Sequence, residues 1–572
     1  MQWLFNHVGY RPAADKQAIL QSHTAMSGLQ AALLDCRTQS TVWQGSLQAA
    51  EQVPGWQGRF FHRLDFSAWV QPGQYQLWLL DSHPPLVSAP FEIQPDLFAG
   101  QMVSDLLHYF KSQRCSGIYD QADRTAPLLD SRQPVDVHGG WYDASGDVSK
   151  YLSHLSYANH MNPQQTPLLV WQLADASLRL PATTSWFDER VQDEALHGAD
   201  FLSRMQLPDG AFLMTVFDRW SKDPSQRELC AYATQKGHKS ADYRAGFRQG
   251  AGLAIAALAR ASCLARDGEY SREDYYRRAA AGYQHLRAHN PGYLDDGQEN
   301  LIDDYCALLA ACELAAARPQ QGWLEEAGTW VARMATKQDD AGFWWMTEQH
   351  ERSYFHASDA GLPLLALTRY LELAGEGGAA ACARQQLQRG WQQQLKLAAR
   401  THNPFAYPRH WVVQPGQPGR SSFFIPHQNE SGYWWQGENA RLASLAAAAR
   451  LGLQTPAAQL TDLPLARLAQ HCCDWIMGAN PFDVCMLQGW GRNNPRYEPG
   501  YWNACGGVAN GITAGLEDEA DIDFRIPAQT EMGHSWRWTE QWLPHGSWLF
   551  HALVLDLSNS GKMRGPVADL LA

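Results

Sequence analysis

Two short stretches of this 572-residue chain place carboxylates in company that suits proton transfer. The first is His138-Gly139-Gly140-Trp141-Tyr142-Asp143-Ala144-Ser145-Gly146-Asp147-Val148-Ser149-Lys150-Tyr151. Its two aspartates, flanked by glycines and aromatic rings, perturb each other's charge, so one can activate a water while the other orients it or contacts substrate. The same residues also read as a solvated turn with a helix-capping Asp. The second stretch is Trp536-Arg537-Trp538-Thr539-Glu540-Gln541-Trp542. Apolar surroundings disfavour an ionised Glu540 and suit it to proton donation, whereas pairing with Arg537 would hold it charged and purely structural.

Three more segments mix flat rings with amide, acid or guanidinium groups: Phe343-Trp344-Trp345, the stretch from His427 to Asn439, and Met477-Gly478-Ala479-Asn480-Pro481 leading to Gly491-Arg492-Asn493-Asn494-Pro495-Arg496. A pyranose has an apolar face and a polar edge, so such mixtures suit a sugar site, although any one of them also serves as core packing plus a turn. The candidate sugar contacts are Tyr142, Trp345, Trp434, Trp435, Glu438, Asn494, Arg496 and Trp536. The 24 Trp are roughly three times the usual share, which fits sugar stacking and equally a large aromatic core. No cofactor is expected. The acidic run Glu517-Asp518-Glu519-Ala520-Asp521-Ile522-Asp523 could collect Ca²⁺ through oxygen ligands, but such runs are usually solvated faces and this one lacks EF-hand spacing, so no metal is assigned. HExxH, GxSxG and GxxxxGK[ST] are all absent, which removes zinc peptidase, serine hydrolase and P-loop readings.

The elements that position these residues divide in two. Residues 1–95 read as short strands separated by turn residues, such as Ala18-Ile19-Leu20, Ala31-Ala32-Leu33-Leu34 and Tyr75-Gln76-Leu77-Trp78-Leu79-Leu80, and predict a β-sandwich. Residues 96–572 change to helical spacing, with long Ala/Leu-rich stretches over Arg244 to Ala265, Leu301 to Ala317, Ala360 to Ala374 and Ala440 to Leu453. Two of the helical stretches end alike, at Asp209-Gly210-Ala211-Phe212 and at Asp340-Ala341-Gly342-Phe343, which hints at repeated hairpins closing into a ring or stacking as a solenoid. The net charge of −13, with no basic stripe, argues against nucleic acid and for a neutral or cationic small ligand. There is no long apolar run for a membrane. Eleven scattered cysteines without a CxxC pair, and an N-terminus without signal-peptide character, predict a cytoplasmic protein, expected as a monomer or homodimer.

At these residues the chain resembles glycoside hydrolase family 9. Gly139-Gly140-Trp141-Tyr142-Asp143 through Asp147 resembles the family's Gly-Gly-Trp-x-Asp-Ala-Gly-Asp block, and Thr539-Glu540 its Asn-Glu acid block. Asn6-His7-Val8-Gly9-Tyr10 with Gly73-Gln74-Tyr75 resembles the immunoglobulin-like module that precedes many of these enzymes, and Ser358-Asp359-Ala360-Gly361-Leu362-Pro363 resembles a catalytic-domain block. The resemblance implies an N-terminal immunoglobulin-like sandwich followed by an (α/α)6 barrel, and inverting hydrolysis of β-1,4-linked glycans with Asp147 as base, Asp143 as second aspartate and Glu540 as acid. Three departures stand out: Ser145 is an extra residue in the first block, Thr539 replaces Asn, and Asn493-Asn494-Pro495-Arg496 stands where cellulases carry a His-His-Arg run. With these, the chain is most similar to the exo-β-D-glucosaminidases of bacterial chitin catabolism. A β-glucosidase or cellodextrinase of the same family, and a catalytically silent glycan-binding protein, are the alternatives.

Overall fold

The structure, a computed structural model, describes residues 1–560 apart from 57, 81, 98–99, 182–184, 433, 497–502 and 531. Tyr433 and the last residues of the expected second domain, 561–572, lie outside the described residues.

The chain begins as two packed sheets. Gln2–Leu4, Gln17–Ser22 and Phe60–Asp65 form an antiparallel three-stranded sheet. The second sheet runs in the order Gly9–Tyr10, Phe91–Ile93, Gly73–Leu79, Gln30–Asp35, Thr41–Ser46. Alternation does the work expected of a sandwich: Tyr75, Leu77 and Leu79 face a buried layer with Trp3, Phe5, Leu20, Leu33 and Phe91, while Gln74, Gln76 and Trp78 lie outside it. The last strand ends at Ile93 and the first helix begins at Gln101.

Helices then close a ring. Six inner helices, Thr166–Arg179, Gly252–Ala261, Leu301–Ala317, Leu362–Leu373, Asn439–Gln454 and Leu543–Ser560, pack each against the next, and the last returns to the first. An inner helix must be apolar on every side, which is why Ala and Leu dominate: all of Gly252–Ala261 is buried, and so is every residue from Leu301 to Ala315. The outer helices Gln101–Ser112, Ser185–Arg204, Arg272–His289, Trp323–Thr336, Gly378–Ala398 and Leu465–Ile476 each present one stripe, as Tyr275, Tyr276, Ala279, Tyr283 and Leu286 do at helical spacing. The fold is an (α/α)6 barrel behind an immunoglobulin-like sandwich. A buried ionic network crosses five inner helices: Asp175 accepts from Arg260 (2.6 Å) and lies 2.9 Å from His551 Nε2, and Glu313 accepts from Arg369 (2.8 Å).

The hint of a repeat is real at the level of hydrogen bonds. Gln206 Nε2 donates to the carbonyls of Gly210 (3.2 Å) and Arg278 (2.9 Å), and Gln338 Nε2 donates to those of Gly342 (3.3 Å) and Gln386 (2.8 Å). Each side-chain amide therefore staples its turn to the next outer helix. The ring, not the solenoid, is the outcome. The helix expected from Arg244 instead starts at Gly252, because Arg244–Ala245 pairs as a strand with Phe212–Leu213 and Gly250 sits at φ +100, where a helix cannot continue.

The segment Met477 to Pro481, grouped above with the sugar contacts, docks the two domains instead. His7 N donates to the Met477 carbonyl (2.9 Å), Asn6 Nδ2 donates to Asp474 (2.7 Å), and His7 Nε2 lies 2.8 Å from Asp483. Gly478 has φ +120, and a Cβ there would meet the His7 ring at 2.4 Å. Gly478→Ala therefore combines a strained backbone with a collision, and we expect a thermal midpoint lowered by several degrees. The double variant with His7→Ala should regain part of that loss; an unchanged midpoint in Gly478→Ala would contradict this account of the docking.

Candidate active site

The loop bearing Asp143 and Asp147 is fixed from behind by a fully buried triad. Asp123 accepts from Arg227 through both oxygens (2.6 and 2.7 Å) and from Lys150 Nζ (2.7 Å). Burial opposes the charge on Asp123, but Lys150 and Arg227 hold its carboxyl below the ordinary range. The two cations also grip the loop itself: Lys150 donates to the carbonyls of Val137 (2.7 Å) and Gly139 (2.8 Å), and Arg227 to that of Val148 (2.8 Å). Trp141, also buried, donates through Nε1 to Glu194 (2.7 Å) on an outer helix.

The extra residue of this block joins it to the distant acid segment. Ser145 N donates to the Gln541 carbonyl (2.8 Å), Gln541 N donates to Ser145 Oγ (3.1 Å), and Leu543 N donates to the Asp143 carbonyl (3.0 Å). The 143–147 and 540–543 segments thus run side by side, where the closing of the ring brings them together.

Three carboxyl groups meet there in different states. Asp147 accepts three donors: Ser149 N at 2.8 Å, Tyr151 OH at 2.7 Å and Trp220 Nε1 at 3.1 Å. Burial raises its pKa, and the bonds from Ser149 and Tyr151 counter that rise. Among the described residues Asp143 accepts only from Trp542 Nε1 (3.0 Å), and its buried Oδ1 has no partner. Burial, then the charges of Asp147 and Glu540, push Asp143 well above the usual carboxylate range. Glu540 is half-buried, and burial followed by the Asp147 charge pushes it up to about 8, against a backbone hydrogen bond from Gly146 and the cation of Lys222. His154 Nε2 lies 3.8 Å from Asp143 Oδ2, and burial pushes its pKa down to about 3, so it is neutral. A wall of rings completes the pocket: His154 is stacked on Trp434 (centroids 6.0 Å), Trp434 meets Trp542 edge-on (5.6 Å), and Tyr232 OH lies 3.0 Å from His154 Nδ1.

Residues 100–505 match the family described as glycosyl hydrolase family 9, and residues 4–82 match the cellulase N-terminal ig-like domain. The chain belongs to glycoside hydrolase family 9. It is therefore an inverting glycosidase. Glu540 lies beyond the matched stretch, and its place beside the two aspartates rests on the pairing just described. Among solved structures, the chain is similar to a metagenome-derived glycoside hydrolase family 9 endoglucanase (20% identity, TM-score 0.63, covering 97% of this chain and 98% of that one). It is also similar to a Bacteroides ovatus family 9 protein (17%, TM-score 0.64, 98% and 99%) and to a thermostable endoglucanase variant from Alicyclobacillus acidocaldarius (17%, TM-score 0.62, 97% and 99%). No curated protein sequence matches the chain significantly.

Of the expected sugar contacts in this glycosidase, Trp434 lines the carboxylate pocket. Tyr142 turns the other way: its OH bonds both the amide (3.1 Å) and the carbonyl (3.2 Å) of Ser116. Trp435 has one face against His427 (4.0 Å) and the other against the Arg537 guanidinium (4.1 Å), and Trp536 carries the same guanidinium (4.7 Å). Arg537 also donates to the Trp435 carbonyl (2.6 Å), so it supports the aromatic wall, and it is not among the groups that set the Glu540 pKa. Glu438 is 1% exposed and engaged by His410 (2.8 Å), Arg441 (3.1 Å), Tyr407 OH (3.2 Å) and Ile425 N, which makes it a structural anchor behind the cleft. Asn494 bonds the Cys485, Leu487 and Trp490 carbonyls and the Gly489 amide, locking its own turn. Trp345 stacks on His350 and donates to Asp339 (3.1 Å), and Arg496 is exposed beside residues outside the described set.

The acidic run uses its carboxylates locally: Glu519 on Arg420 (2.8 Å) and His427 N (2.9 Å), Asp523 on Arg525 (2.7 Å). Among the described residues the one group of three or more ligand-type residues whose atoms lie within 4.8 Å of one another is Asp143, Asp147 and His154, in the carboxylate pocket. Sequence reasoning passed over Tyr151, His154, Trp220, Tyr232 and Trp542. Tyr151 and Trp542 stood inside the flagged stretches, four positions after Asp147 and two after Glu540. Trp220 and Tyr232 come from the strand-rich excursion 212–245, which carries no chemical motif.

A folded Glu540 keeps its proton to about pH 8, whereas an unfolded one loses it near the ordinary 4.5. Its contribution to stability is therefore present at low pH and lost as pH rises through about 8. Glu540→Gln should lose about 10²- to 10⁴-fold in turnover yet melt above the parent protein at pH 9. Equal midpoints at pH 9 would contradict the raised pKa.

Proposed function

We propose that the chain is an exo-β-D-glucosaminidase that hydrolyses β-1,4-linked glucosamine oligosaccharides from the non-reducing end with inversion. In this reading Asp147 removes a proton from the attacking water, and Glu540 delivers one to the leaving glycosidic oxygen. The three donors on Asp147 favour its ionised form, and the raised pKa of Glu540 keeps it protonated near neutrality, which is the division of labour an inverting pair needs.

The observation that carries the substrate is Asp143. A buried carboxyl with one unpartnered oxygen, beside a neutral His154 and two further acids, lacks a cation. The protonated amine of glucosamine supplies both the missing charge and the missing hydrogen bond, whereas the 2-hydroxyl of glucose supplies only the bond and an acetamide no charge. The rival reading, a β-1,4-glucanase, draws on structural neighbours named endoglucanases. Against it stand the extra Ser145 and the Asn493-Asn494 pair. The eleven cysteines are free, which suits action in a reducing cytoplasm on small imported oligomers.

Glucosamine dimer and cellobiose assayed in parallel decide between them. We expect kcat/KM to favour the glucosamine dimer by about 10²-fold or more, and Asp143→Asn to lose most of its turnover. Faster glucose release from cellobiose would overturn the reading.

A further inference from the structure

Away from the carboxylates, a cleft of about 1110 Å³ opens between the two domains. The sandwich contributes Glu51, Pro54 and Arg63. The barrel contributes the end of the helix Gly378–Ala398 with the turn after it, including Arg400, and the start of the helix Leu465–Ile476, including Arg467, Leu468 and His471.

The cleft offers donors with little to accept them. Arg63 pairs with Glu51 (2.8 Å), yet its buried Nε has no partner among the described residues. Arg400 and Arg467 make no ion pair among the described residues. Arg409, donating to the Thr401 and His402 carbonyls, adds a fourth guanidinium behind the wall. His471 is 9% exposed, lines the cleft, and has a buried Nε2 without a partner among the described residues. Burial and the charges of Arg467 and Arg63 lower its pKa to about 4, so it is neutral.

The helix Leu465–Ile476 starts at this cleft, at Pro464, with no side-chain cap and no acid in its first turn, so its amide end also faces an uncompensated site. Arg467, Leu468 and His471 lie on one face of it. The acids nearby are Glu51, held by Arg63, and Asp65, which acts on Arg467 and His471 and accepts from Ser67 N (2.9 Å). On the opposite side the Ala398 carbonyl is capped by Asn403 Nδ2 (2.9 Å), which removes an acceptor from the cleft.

We propose that this interdomain cleft binds a small organic phosphate and that its occupation clamps the sandwich to the barrel. A phosphomonoester is dianionic and carries three terminal oxygens, enough to meet Arg63, Arg400 and Arg467 together, whereas a monocarboxylate is satisfied by one guanidinium. The apolar strip of Pro54, Leu395, Ala398 and Leu468 gives an organic body something to lie on, and the volume exceeds what a bare anion fills. The ligand touches both domains, so it binds the docked state and not the separated one. The proposal does not depend on which glycan the carboxylate site cleaves.

The test is the thermal midpoint of the full-length protein at constant ionic strength with inorganic phosphate, glucose 6-phosphate, adenosine 5′-monophosphate or, as uncharged control, glucose. At least one of the two esters should raise the midpoint by about 2–4 °C at millimolar concentration, with heat of binding in calorimetry. Arg400→Glu and Arg467→Glu should each abolish the rise while leaving glycoside turnover unchanged. No rise with either ester, or a rise retained in both variants, would overturn the site. Protection by inorganic phosphate equal to that by the esters would overturn its assignment to an organic phosphate.

Discussion

Three carboxyl groups cannot all carry charge in one desolvated pocket, and the catalytic end of this protein is organised around how that repulsion is divided. Asp147 receives the donors, Glu540 keeps a proton, and Asp143 is left with an open oxygen. The division depends on where the cations are not. Lys150 and Arg227 lie just behind the loop, where Asp123 offsets one of their two charges and main-chain carbonyls occupy their other donors. They give the loop its shape without quenching the acids in front. A triad this deeply buried adds little net stability over an apolar cluster, and its value is in fixing one conformation.

The ring architecture supplies the convergence. The carboxylate-bearing segments precede inner helices: the Asp143/Asp147 loop leads through the strand Lys150–Tyr151 towards Thr166–Arg179, and Glu540 leads directly into Leu543–Ser560. Those two helices are also the pair that closes the ring. Positions 147 and 540 are remote in sequence and adjacent in space because the barrel's seam runs through the active site. The same logic places Asp359 and Glu438 before the helices Leu362–Leu373 and Asn439–Gln454, where they serve as anchors: Asp359 accepts from Gln164 N (2.8 Å) and Trp548 Nε1 (3.0 Å).

Much of this was legible in the sequence, and the rest for physical reasons was not. The sandwich and the inner helices announced themselves by period, and the two acid blocks by carboxylates set among glycine and tryptophan. Which tryptophan meets sugar could not be read, because the residue types that stack on a pyranose also stack on histidine and arginine: Trp435 sits between His427 and Arg537, while its neighbour Trp434 faces the pocket. Polar residues misled in the same way. Glu438 and Asn494 have the chemistry of sugar ligands and use all of it internally. Met477 to Pro481 looked like a binding loop because a glycine with unusual backbone angles and an amide beside it are what docking another domain also needs.

In the proposed function, Asp143 is held in a buried, cation-deficient state that a sugar amine completes. A crystal structure of the Glu540→Gln protein with the glucosamine dimer bound tests it most directly. The ammonium of the non-reducing sugar should lie within about 3 Å of Asp143 Oδ1, with a water against Asp147 on the far face of the ring. An amine turned to solvent, with Asp143 bonded to a hydroxyl or to nothing, would contradict it.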